Sequence, residues 1–131
     1  MKKVTKYEMD NNSLGEIIEV LKNVDGGLRV AFCIGHDFYE PQEFMSSSGS
    51  YDQLGLSCGN SSCNSKSFKG ETTVSDFLEM FYQQPHHTFH GRTVFRSSWV
   101  FLSGHGLTSI ISAYIDVENN LLIFETEDDL Y

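Results

Sequence analysis

Cysteine, histidine and arginine hold most of the reactive potential of this sequence, and their spacing decides what that potential is. Cys58 and Cys63 stand in a C-x4-C arrangement, with His87 and His90 downstream. Two thiolates and two imidazoles would make the tetrahedral N/S set that zinc prefers. The spacing is looser than the C-x2-C knuckle, and the pair lies among Ser, Asn and Gly residues that order no loop unaided. No metal and no cofactor are assigned on this basis.

Nucleophilic catalysis has less behind it. Cys33 lies near His36, and Ser103 near His105, but such partners must meet in space. Cys33 falls inside an apolar run, where a free thiol behaves as a small buried hydrophobe. There is no G-x-S-x-G elbow. The patches at His86 to Thr88 and His105 to Thr108 do not repeat in matching context, so a two-histidine phosphoesterase is unsupported. No catalytic residue is assigned, and the expectation is a protein that is not an enzyme.

Ligand capture is a separate reading. Ser50, Tyr51, Arg92, Arg96, Trp99 and His105 supply cations, flat rings and, with the neighbouring glycines, exposed backbone. Those are the parts that hold a planar anion such as a nucleotide. Each has an ordinary structural alternative: Trp99 in a core, the arginines on solvated edges, Gly104 and Gly106 in a plain turn.

The charge balance points towards protein partners. Eighteen acidic residues against nine basic ones give a net charge of −9 over 131 residues. A phosphate-backbone binder needs clustered Lys and Arg, which this chain lacks. From Asp116 onward there are acidic residues and no basic one, with Glu125, Glu127, Asp128 and Asp129 at the end. This tail suits a basic or nucleic-acid-binding partner, and equally a solubilising role. Tyr7, Phe38, Tyr39, Phe44 and Tyr131 are expected to stand beside it as exposed aromatics. The odd count of three cysteines fits a reducing cytoplasm. The absence of a long apolar run argues against a membrane span. Self-association is compatible with all of this.

The elements that must position these residues are legible in part. Ser13-Leu-Gly-Glu16 reads as a capping box, and Leu14, Ile17, Ile18 and Leu21 follow at helical spacing. Asp25-Gly26-Gly27 stops that helix. Thr73 and Asp76 open a second, with Val74, Phe77, Leu78 and Phe81 on one face and Pro85 beyond its end. Residues 28–34 read as a buried strand. The stretch 35–70 reads as irregular, with a strand over 53–57 and a mobile loop over 58–69. Residues 88–95 and 98–102 read as two further strands. Residues 107–118 and 121–127 then form a hairpin about Asn119-Asn120, pairing Glu118 with Leu121 and Ile115 with Phe124. The expectation is one α+β domain over 1–131: an antiparallel sheet of about five strands with two amphipathic helices packed on one face.

Several short motifs resemble a pattern found in small accessory proteins of tailed bacteriophages. They are Gly49-Ser-Tyr51, Asp52-Gln-Leu-Gly-Leu56, the helix segment 73–79, Thr88-Phe-His-Gly91 and the Trp99-Val100 pair. Together they span roughly residues 49–127. Arg92 to Arg96 replaces the Gly- and aromatic-rich stretch usual in that group, and 58–69 is an insertion. The resemblance implies a phage protein acting in the host cytoplasm as a counter-defence or host-modulating factor. Such a factor inhibits a host immune protein by binding it or, alternatively, sequesters a nucleotide-like immune signal. The resemblance supplies no catalytic residue.

Overall fold

The computed structural model describes residues 6–9, 13–45, 53–95, 99–102 and 110–127. Both predicted helices form. In α1 (Leu14–Lys22) the Ser13 hydroxyl accepts from the Glu16 amide at 3.2 Å. In α2 (Val74–Tyr82) Thr73 and Asp76 complete a reciprocal capping box, as their three-residue spacing allows. The strands are β1 (Lys6–Glu8), β2 (Arg29–Ile34), β3 (Asp37–Met45), β4 (Gln53–Ser62), β5 (His86–Phe89), β6 (Arg92–Phe95), β7 (Trp99–Leu102), β8 (Ile110–Asp116) and β9 (Leu121–Thr126). No helix among the described residues is long and apolar enough to cross a membrane.

The fold is α+β with a mostly antiparallel sheet, but larger and more mixed than expected. Seven strands pair in the order β1-β8-β9-β2-β3-β4-β7, and β5 with β6 forms a sheet of its own. Two pairs, β2 with β9 and β4 with β7, run parallel. The reason lies in β9. Leu121, Leu122, Ile123 and Phe124 are all buried, so both faces of this strand need cover. It therefore sits in the middle of the sheet, between β8 and β2, rather than at the edge where a simple meander would leave it.

Side-chain alternation divides the core in two. Val30, Phe32 and Ile34 share one apolar cluster with Ile17 and Leu21 of α1 and with Phe77 and Phe81 of α2. Its centre is aromatic: Phe32 stacks on Phe124 with centroids 5.0 Å apart, and Phe44 meets Phe81 at 4.8 Å. Removing one such ring typically costs about 3–5 kcal/mol. Ala31, Cys33, Leu121 and Ile123 face the other way and pack with Phe68. Four of the aromatics expected at the surface belong to these clusters as partly buried members: Tyr7, Tyr39 and Phe44 in the first, Phe38 in the second. Tyr131 lies outside the described residues.

Residues 35–70 depart most from the sequence reading. Gly35 and His36 take φ values of 57° and 73°, the left-handed pair that a two-residue hairpin turn requires, and β3 returns directly along β2. β4 continues through Cys58 to Ser62, so the first part of the expected mobile loop is strand. A one-residue bulge in β4 places Asn60 at φ 51°, from where its amide donates to Glu40 Oε1 at 2.8 Å.

The rest of that loop is held down at a split in the sheet. The pairing of β3 with β2 runs as far as Tyr39 and Phe32, and Pro41 has no N–H to extend a ladder. Segment 71–73 fills the gap. On one side Val30 N donates to Thr72 O, and Val74 N donates to Leu28 O, both at 2.8 Å. On the other side the Glu40 carboxylate accepts from the Glu71 and Thr72 amides, and Thr72 Oγ1 donates to Pro41 O at 3.1 Å. Burial alone would raise the Glu40 pKa; the Thr72 and Glu71 amides and the Asn60 side chain more than offset this and hold it below its ordinary value. From β2 Arg29 donates to Phe68 O at 3.0 Å, Gly70 O at 3.1 Å and Asn119 O at 2.9 Å. Its guanidinium stands 5.7 Å from the Phe68 ring centre.

The C-terminal hairpin forms with a shifted register. Asp116 pairs with Leu121, Ile115 with Leu122 and Ala113 with Phe124, so residues 117–120 make a four-residue turn in place of the expected two. Asp116 selects it by accepting from Asn119 N at 3.3 Å and Asn119 Nδ2 at 2.8 Å. Because the slip is two residues, each side chain keeps its expected face.

Candidate interaction surface

The most exposed element among the described residues is the β5–β6 hairpin, which the sequence reading took for one continuous strand. His90 and Gly91 break it, at φ 50° and 77°, and bring Phe89 opposite Arg92 and His87 opposite Val94. Alternation then puts His87, Phe89 and Val94 on one face, with Arg92 at the facing register position. That face is open. Phe89 is 60% exposed and Val94 37%, and His86, His87, Thr88 and His90 are exposed as well. The His90 ring stands edge-on to Phe89 at 4.3 Å, while His86 Nδ1 donates to the Gln84 carbonyl at 2.7 Å.

The hairpin's charge also contrasts with that of the whole chain. Between Glu79 and Asp116 there is no acidic residue, although the protein as a whole carries −9. This stretch holds four of the five histidines and two of the three arginines. The exposed apolar face of the hairpin therefore lies in a stretch without carboxylates, within an acidic chain. The signal for it was present in the sequence: a His-Gly pair midway between Pro85 and Phe95, with four strand-forming residues on each side.

The other candidate residues fall in several places. Cys58 packs against the helix-side core, and burial pushes its thiol up to about 12, so it is neutral and unreactive at physiological pH. Cys63 is exposed at the far end of β4. His87 and His90 belong to the separate hairpin, and no group of three or more metal-ligating side chains occurs among the described residues. Of the six residues considered for a nucleotide, Arg92 is on β6 and Trp99 is on β7, in different sheets. Ser50, Tyr51, Arg96 and His105 lie outside the described residues. Comparison with family models, with curated proteins and with solved structures finds no match.

The acidic residues divide in the same way. Glu125 is on β9 with its side chain 22% exposed, and the Lys6 ammonium is 3.7 Å from its Oε1. It is thus partly neutralised rather than presented freely. Glu127 is exposed. Asp128 and Asp129 lie outside the described residues.

Proposed function

We propose that the protein acts by binding another protein rather than by catalysis, with the β5–β6 hairpin as its docking element. The observation that carries this reading is the exposure of Phe89 and Val94 together on one face of a hairpin that forms its own sheet. A two-stranded hairpin is marginal in water by itself. One that presents a phenylalanine at its tip gains the missing burial when a partner covers it, as aromatic anchors do at interfaces. The overall acidity supports a protein partner over nucleic acid. With the phage-like motifs, the reading extends to a host-modulating inhibitor of a bacterial immune protein in the host cytoplasm.

Expression in bacterial strains that carry defined immune systems tests this. The protein is expected to restore plating of a phage that one of those systems restricts. Phe89→Ser should weaken the underlying contact by about 2 kcal/mol or more, roughly 30-fold in affinity, and abolish the rescue without changing thermal stability. Rescue undiminished in the variant removes the hairpin from the mechanism. No rescue in any strain removes the host-inhibitor reading.

A further inference from the structure

We infer that the groove between β1 and α1 binds an extended, basic peptide segment as an added strand of the sheet. Among the described residues β1 is the outermost strand, paired with β8 on one side only. Met9 N donates to Ile111 O at 2.9 Å, so alternation directs the backbone groups of Tyr7 toward β8 and those of Lys6 and Glu8 away from it. The outward N–H and C=O groups form a short template for strand addition.

A cavity of about 410 Å³ lies along this edge. Lys6, Tyr7, Glu8 and Met9 line it on one side, Glu16, Glu19, Val20 and Asn23 on the other, and no β8 residue takes part. Four consecutive residues of an alternating strand can all border one cavity only where it runs along the strand's edge. The helix residues recur at i, i+3, i+4 and i+7, so a single stripe of α1 forms the second wall. A strand edge facing a helix stripe across a groove is the arrangement in which peptides bind by β-addition.

The chemistry of the walls selects the occupant. Glu16 and Glu19 on the helix wall carry two carboxylates, while the Lys6 ammonium is engaged with Glu125. Among the described residues Glu16 Oε2 is shut off from solvent and accepts no hydrogen bond, although it belongs to a cavity-lining side chain. A buried acceptor without a donor is unfavourable, and turning this carboxylate toward a guanidinium or ammonium in the groove would supply one. Met9 and Val20 offer apolar surface for the stem of an Arg or Lys side chain. This site is independent of the hairpin and does not require that the hairpin reading be correct.

The test uses the full chain and a fluorescent, end-capped peptide of alternating Thr, Val and Arg, with a control in which norleucine replaces Arg. Binding of the Arg peptide is expected, at least 10-fold tighter than the control. Glu16→Gln and Glu19→Gln should each weaken it several-fold and together abolish the preference, whereas Phe89→Ser should leave it unchanged. Hydrogen exchange should slow at the Glu8 amide on binding, while the Met9 amide, already bonded to β8, stays as it was. Equal affinity for both peptides, insensitivity to the glutamate changes, or new protection elsewhere than β1 overturns the proposal. So does a stable dimer closed edge to edge through β1, which would make the occupant a second copy of the chain.

Discussion

Arg29 and Glu40 hold one stretch of backbone between them, the first as donor and the second as acceptor. Arg29 donates to the carbonyls of Phe68 and Gly70, and Glu40 accepts from the amides of Glu71 and Thr72. The two charges solvate a segment that would otherwise leave backbone donors and acceptors unpaired where β3 leaves β2. A Cβ on Gly70 would collide with the Phe68 ring, so the clamp closes tightly around this glycine.

Glu40→Gln is expected to destabilise the protein by about 1–3 kcal/mol at neutral pH, because an acceptor of three donors becomes partly a donor itself. The Glu40 pKa is lower folded than unfolded. Its ionised form therefore adds stability above the unfolded carboxylate range, and this is lost as pH falls through the folded pKa. Urea unfolding from pH 7 to pH 3 should show the wild type losing its advantage over the variant below about pH 5.

Arg29→Ala and Glu40→Gln should not be additive. Either change frees the segment 68–72, so the second has less left to disrupt. A double-mutant cycle by chemical unfolding is expected to give a coupling of about 0.5–2 kcal/mol. Additive losses would show that the two residues hold the segment separately.

The cysteines should react unequally. Cys63 is exposed, Cys33 is buried, and the Cys58 thiol is pushed up to about 12 by its surroundings. Maleimide treatment of the native protein at pH 7.5 (a typical labelling condition, about one unit below the free thiol pKa) should give one adduct, at Cys63. Denaturant should release the other two, as intact-mass and peptide analysis would read.

Gly91→Ala should disturb the hairpin alone. Its φ of 77° disfavours a Cβ by roughly 1–2 kcal/mol. Because β5 and β6 form a separate sheet, amide exchange should quicken at residues 88–93 while the main melting transition stays in place. Phage rescue should weaken with it.

The helices were legible because capping residues and i, i+3, i+4 spacing are local signals, and Ser13, Thr73 and Asp76 act as such residues do. The strand between Asp37 and Met45 was not. Its turn uses Gly35-His36 where Asn-Gly is the familiar sign, and its proline argued against a strand until the sheet was seen to split there. A histidine in place of asparagine hid the turn at His90-Gly91, and with it the exposed face of Phe89. The α1–β1 groove depends on which strand is outermost. Pairing between distant segments decides that, and composition carries no trace of it. The apolar run Leu121 to Phe124 is the mark of a doubly buried strand that the hairpin reading passed over, and nothing local named β2 as its second neighbour.

The central position of β9 has a consequence for how the chain reaches its native state. β9 joins β1 and β8 on one flank to β2, β3, β4 and β7 on the other, and Thr126 reaches back to the carbonyl of Cys33, 93 positions earlier. Until these six residues are in place the two flanks share no ladder among the described strands. Closure across so long a separation is slow, since the intervening loop must lose its freedom before any contact rewards it. A ribosome-bound chain that has not yet released Leu121 to Thr126 is then two unsealed half-sheets, and a stop codon ahead of β9 would yield material for proteases rather than a smaller working protein.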